Sequence, residues 1–123
     1  MSRIFRAKTF SRWMKGNDID DATLAAAVRE MEDGLMDASL GGALYKKRIA
    51  LPNQGKRGSA RTIVATRHEG TWFFLFGFHK NEGSTLSAKE AKALQLSAEH
   101  LLSLSEDRRA SAAEAGALQE VTP

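Results

Sequence analysis

The sequence predicts an α+β fold. The expected architecture is a small antiparallel β-sheet, in the order β-α-α-β-β-β-α, with helices packed on one face. Three observations predict it. Two segments in the first third place apolar residues at helical spacing. Three strand-like runs follow within residues 43–79, joined by short loops. A segment that opens with a capping box comes after them.

RIFR, residues 3–6, reads as a short strand. KTFSRWMKG, residues 8–16, sets Phe10, Trp13 and Met14 at helical spacing, with Gly16 as a stop. DIDDATLAAAVREMEDG, residues 18–34, reads as a second helix whose first-turn acids complement the helix dipole. Leu24, Val28, Met31 and Leu35 form its apolar stripe, and Gly34 is its expected C-cap. Gly41-Gly42 then breaks the chain.

ALYKKRIAL, residues 43–51, alternates. Tyr45, Ile49 and Leu51 fall to one side, and Lys46 and Arg48 to the other, while Lys47 interrupts the apolar side. PNQGKRGS is a loop, ARTIVATR a second strand and HEG a tight turn. TWFFLFGFH, residues 71–79, is continuously apolar, as in a central strand buried on both faces. Short loops between the three strands imply an antiparallel meander. NEGSTLSAKEAKALQLSAEHLLSLS is a third helix, with Ser87 and Glu90 as its capping box and Leu94, Ala98, Leu101 and Ser105 on one face. Residues 1–104 read as one domain, and residues 105–123 as an Ala- and Ser-rich tail. The expected tail is a short helix followed by an extended ALQEV, or a frayed end.

With 123 residues, the chain suffices for one core. The net charge is only +3, but the charges are segregated. Residues 1–17 hold five basic groups and no acid, residues 18–37 hold seven acids and one Arg, and residues 38–68 hold seven basic groups and no acid. Such segregation produces a strong local positive field, whose natural ligands are phosphates or an acidic protein segment. There is no Cys, which removes disulfides, thiolate metal sites and Cys nucleophiles. No secretory leader and no 18-residue apolar run is present, so the expected location is the cytoplasm, with no membrane partner.

Catalytic motifs of several kinds are absent. There is no HExxH, and GKRGS lacks the spacing of a phosphate-binding glycine loop and leads into a strand. His68, His79 and His100 have no ligand spacing, and no cofactor is implied. The basic groups remain. Strand periodicity puts Lys46 and Arg48 on one face, and an adjoining antiparallel strand brings Arg61 near them. Lys56 and Arg57 sit on the intervening loop, and Lys80 ends the third strand. Fixed cations suit a phosphodiester and the charge that develops on it during phosphoryl transfer. RNA supplies its own nucleophile, the 2′-hydroxyl, so such a site needs no metal. A merely solvated basic face is the competing reading, and the long acid-free span favours phosphate.

GGALYKKRIALPNQGKRGSARTIVATR, followed by WFFLFGFHKNE and a helix, resembles toxins of the RelE/ParE superfamily. It looks closest to the HigB-like branch, with its GG-[L/V]-x-K-x-R stretch, GKRGG-x-R loop and K-N-E ending. The resemblance implies a small antiparallel sheet with two N-terminal helices. It also implies a type II toxin that acts as a ribosome-dependent mRNA endonuclease, with mRNA and the ribosome as partners. The further implied partner is a cognate antitoxin of helix-turn-helix type. The implied catalytic residues are Arg48, Arg61, Lys80 and Lys46. The implied RNA contacts are Lys47, Lys56, Arg57, Arg67, His79 and Asn81. Asn81 stands where the resembled toxin has a second catalytic arginine, and Ser84, Thr85 and Ser87 occupy the region of its tyrosine. Lys80, Lys46 and His79 are therefore unranked candidates for proton transfer. Two alternatives share the fold: a ParE-like toxin that binds gyrase without catalysis, and a catalytically weakened RNA-binding relative.

Overall fold

A computed structural model describes residues 2–51, 59–79 and 86–122. The chain begins with β1 (Arg3–Ala7), α1 (Lys8–Gly16) and α2 (Asp21–Glu32). Four strands follow: β2 (Ala38–Gly41), β3 (Leu44–Ala50), β4 (Ser59–Thr66) and β5 (Thr71–His79). The chain then forms α3 (Ala88–Leu102), α4 (Glu106–Glu114) and β6 (Leu118–Glu120). One sheet contains all six strands in the order β2-β3-β4-β5-β1-β6.

The α+β class and the β3-β4-β5 meander match the expectation. The sheet as a whole is mixed, because β1 pairs with β5 in parallel. The helices occupy both faces rather than one. Phe10 and Met14 of α1 and Leu24, Val28 and Met31 of α2 pack with Ile4, Val64, Trp72 and Phe74. On the opposite side, Ala98, Leu94 and Leu101 of α3 pack with Phe5, Leu44, Ile63, Phe73 and Leu75. The cause is β5 itself. A strand apolar on both faces needs a cover on each.

Local rules explain the ends of α2. The Asp20 side chain accepts from the Thr23 amide at 2.9 Å, a standard N-cap. The Thr23 hydroxyl, which donates to the same oxygen at 2.7 Å, and secondarily this amide hold the Asp20 carboxyl below the usual range. At the other end Gly34 adopts φ 91°. Its amide donates to the Met31 carbonyl at 3.0 Å, and the Leu35 amide donates to the Glu30 carbonyl at 2.9 Å. This is a Schellman motif, for which glycine is favoured. Leu35 consequently leaves the helix and is 60% exposed, so it does not extend the apolar stripe.

β2 was not expected from the sequence. It is a four-residue edge strand, ASLG, with two exposed positions and no apolar run. The residues after Leu104 form α4 and β6, and β6 adds to the sheet antiparallel to β1. Leu118 and Val121 are both buried. The Arg3 guanidinium forks onto Glu120, with Nε–Oε2 at 3.0 Å and Nη2–Oε1 at 3.1 Å. This contact lowers the Glu120 carboxyl pKa and raises that of Arg3. The Thr122 amide donates to Asp21 Oδ2 at 2.9 Å, which ties the C-terminal segment to the start of α2. Among the described residues, no helix is long and apolar enough to cross a membrane.

Candidate functional site

β3 and β4 pair in antiparallel register, and Arg48 stands opposite Arg61. Lys46 stands opposite Ile63. Side chains alternate along a strand, so Arg61 shares a face with Ile63, and Lys46 and Arg48 share that face with them. Ile63 and Leu44 belong to the layer covered by α3. The three cations therefore lie on the α3 side of the sheet, as strand periodicity predicts.

Like charges directly opposite each other destabilise an antiparallel pair, at a Cβ separation of roughly 5 Å. Among the described residues, none of the ion pairs involves Lys46, Arg48 or Arg61. Arg61 Nη1 donates to Ser59 Oγ at 3.2 Å, which orients the guanidinium without neutralising it. Among the described residues, the two guanidinium groups are thus held together with no anion paired to them.

A second register feature brings an aromatic ring beside them. β5 contains a bulge: Val64 pairs with Phe74 and Ile63 with Phe76, which leaves Leu75 without a partner. The extra residue inverts the alternation. Phe76 and Phe78 turn toward the α3 side and pack at the margin of that layer. Phe78 lies opposite Arg61 and stays half-buried. Sequence reading assigned this aromatic run wholly to the core. A bulge leaves no residue signature in a uniformly apolar strand, so Phe78 could not be singled out.

The same inversion sends Gly77 and His79 to the α1 side. The Trp13 ring occupies the space that a Cβ on Gly77 would take. The His79 ring meets Trp13 edge-on at a centroid distance of 6.1 Å. His79 is therefore on the face opposite Arg61, against α1.

Lys47 also departs from the expected set. It alternates onto the α2 side, where it is only 7% exposed. Its Nζ lies 2.7 Å from Glu30 Oε1 and donates to the Leu35 carbonyl at 3.0 Å. The interruption in the apolar side is a cation that anchors the end of α2 and does not join the Lys46–Arg48–Arg61 face. Arg67 lies just beyond the far end of β4. Six residues separate it from Arg61, about 20 Å along a strand. Its Nη1 donates to the Leu102 carbonyl at 3.4 Å. Lys56, Arg57, Lys80 and Asn81 lie outside the described residues.

Among curated proteins, none matches the chain. A family model described as the RelE toxin of the RelE / RelB toxin-antitoxin system matches residues 2–121, from β1 through β6. The chain therefore belongs to the RelE toxin family, and its partner in such a system is an antitoxin.

Proposed function

We propose that this toxin is an RNA endonuclease that cleaves mRNA on the ribosome, and that the Arg48–Arg61 face holds the scissile phosphate. The observation that supports this most is the unneutralised cross-strand arginine pair. An arrangement unfavourable to the isolated sheet becomes favourable once a phosphodiester bridges it, because charge-assisted bonds to phosphate are strong.

In this reading the 2′-hydroxyl adjacent to the scissile phosphate attacks phosphorus. The P–O5′ bond breaks, which leaves a 2′,3′-cyclic phosphate and a free 5′-hydroxyl. A base takes the proton of the 2′-hydroxyl, and an acid returns one to the departing O5′. Arg48 and Arg61 stabilise the charge that gathers on the equatorial oxygens in the transition state. Lys46 lies two residues from Arg48 on the same face, about 7 Å along the strand, and serves as a proton-transfer group or a third clamp. Lys80 is the other proton-transfer candidate, and Lys56, Arg57 and Asn81 are RNA contacts, by resemblance alone. Phe78 beside Arg61 offers a ring on which a flanking base can stack.

The branch is HigB-like, the site of action is the cytoplasm, and the antitoxin is of helix-turn-helix type. An acidic segment of that antitoxin covers the basic face, which complements its field.

Brief expression in cells, followed by mapping of RNA 5′ ends, tests the reading. New ends within mRNA coding regions, absent with Arg61→Ala, are expected. DNA damage with intact mRNA contradicts the reading and indicates gyrase inhibition instead.

A further inference from the structure

The acid-free N-terminal segment is not used by the Arg48–Arg61 face. Of its five basic residues, Arg3 is engaged by Glu120. The other four meet elsewhere. Arg6, Lys8, Arg12 and Lys15 line one hollow between α1 and the C-terminal segment, together with Ser11 and Gln119. Among the described residues, no acidic one lines it. Lys8, Arg12 and Lys15 are spaced four and three residues apart, so they share one face of α1 and extend over about 10 Å. Lys8 also stands at the N-terminus of α1, where the helix dipole adds positive potential.

A second, independent observation points to a ligand. Arg6 is 7% exposed, and one end of its guanidinium is fixed. Its Nη1 lies 3.2 Å from Asp21 Oδ1 and donates to Met14 Sδ at 2.8 Å. The other side is unsatisfied: among the described residues, Arg6 Nε and the buried Ser11 Oγ have no hydrogen-bond partner. Native chains leave few buried donors in that condition. A fixed guanidinium N–H, a hydroxyl, a side-chain amide and three longer cations form a donor set for a tetrahedral oxyanion. Three cations spread along a helix exceed what a single carboxylate neutralises and fit a polyanion.

We propose that this hollow is a second phosphate-binding site, which holds a backbone phosphate of RNA outside the nucleotides that are cleaved. The proposal rests on the reading of the toxin as an RNA endonuclease. In the sheet, β1 and β6 lie beyond β5 from the β3–β4 pair. α1 covers the face opposite Arg61. RNA that reaches both sites therefore passes from one face of the sheet to the other, and the second phosphate belongs to a flanking stretch.

The test uses the full chain with two probes, inorganic phosphate and a 2′-O-methyl RNA oligonucleotide that cannot be cut. NMR signals of Arg6 Nε–H and the Ser11 amide should move saturably with both probes. The triple variant Lys8→Gln, Arg12→Gln, Lys15→Gln should lower the slope of log affinity against log salt for RNA by about 2, at roughly 0.7 per phosphate contact. Arg61→Gln should leave the Arg6 and Ser11 responses in place. No saturable response to either probe, or an unchanged salt slope in the triple variant, overturns the proposal. A response to inorganic phosphate but not to RNA overturns the RNA assignment. A response to polyglutamate alone assigns the hollow to an acidic protein segment and overturns it as well. These readouts need no cleavage, so a toxin that cuts no RNA yet gives them retains this site and loses only the catalytic reading.

Discussion

Lys47 Nζ lies 2.7 Å from Glu30 Oε1, while its neighbours Lys46 and Arg48 face the other side of the sheet. One strand thus divides its three consecutive cations between the two faces of the sheet. Lys47 also caps the carbonyl of Leu35 just after α2 ends.

From this follows the first prediction. Lys47→Ala should lower stability by about 1–3 kcal/mol, through lost methylene burial and a lost hydrogen bond to a charged donor. Glu30→Gln should cost less than about 1 kcal/mol, since that side chain is 54% exposed and the pair is screened. Urea midpoints measure both. RNA cleavage per folded molecule should be unchanged in Lys47→Ala, and a specific loss of cleavage would place Lys47 in the RNA site after all.

Gly77 faces the Trp13 ring so closely that a methyl group cannot be added without displacement. Gly77→Ala should therefore destabilise the fold by about 1–3 kcal/mol through overpacking. Trp13→Leu in the same chain should make the Ala substitution nearly neutral. A double-mutant cycle with no coupling between the two positions would contradict the packing described.

Acid sensitivity has an assigned origin. The Asp20, Glu90 and Glu120 carboxyls are all held below their ordinary pKa, by Thr23, Ser87 and Arg3 respectively. A depressed folded-state pKa contributes stability above the unfolded value and loses it as pH falls through the folded value. Stability should thus decline from the ordinary carboxylate range downward. Glu120→Gln should make the acid limb of a Tm-against-pH curve shallower. An identical limb would remove the Arg3–Glu120 contact from the explanation.

The C-terminal residues belong to the core rather than to a frayed end. Leu118→Ala should cost about 2–5 kcal/mol, as for other buried leucines. Truncation after Leu104 should leave β1 as an exposed edge and yield an aggregating chain, visible by size-exclusion chromatography. A truncated chain that stays monomeric with wild-type Tm would contradict this.

Much of this fold was legible because local signals and packing agree. The Phe10–Met14 spacing, the Asp20 cap, the Ser87–Glu90 box and the β3 alternation each specify an element on its own. β2 carried no such signal, for it is short, exposed at alternate positions and held by pairing to β3. The parallel pairing of β1 with β5 depends on long-range contacts that no periodicity encodes. In the site, alternation alone brought Lys46, Arg48 and Arg61 together. It also places Lys47 on the opposite face, whereas the resemblance puts Lys47 among the RNA contacts. The Leu75 bulge was invisible, and with it the positions of Phe78 and His79.

The most direct test pairs cleavage with stability in Arg48→Gln and Arg61→Gln. Rates on mRNA in the presence of ribosomes should fall by roughly 10²–10³-fold for each variant, as when one group that stabilises a transition-state anion is removed. Their Tm should hold or rise, because relief of a like-charge cross-strand pair favours the sheet. Full cleavage by either variant would contradict the assignment of the arginine pair as the phosphate clamp.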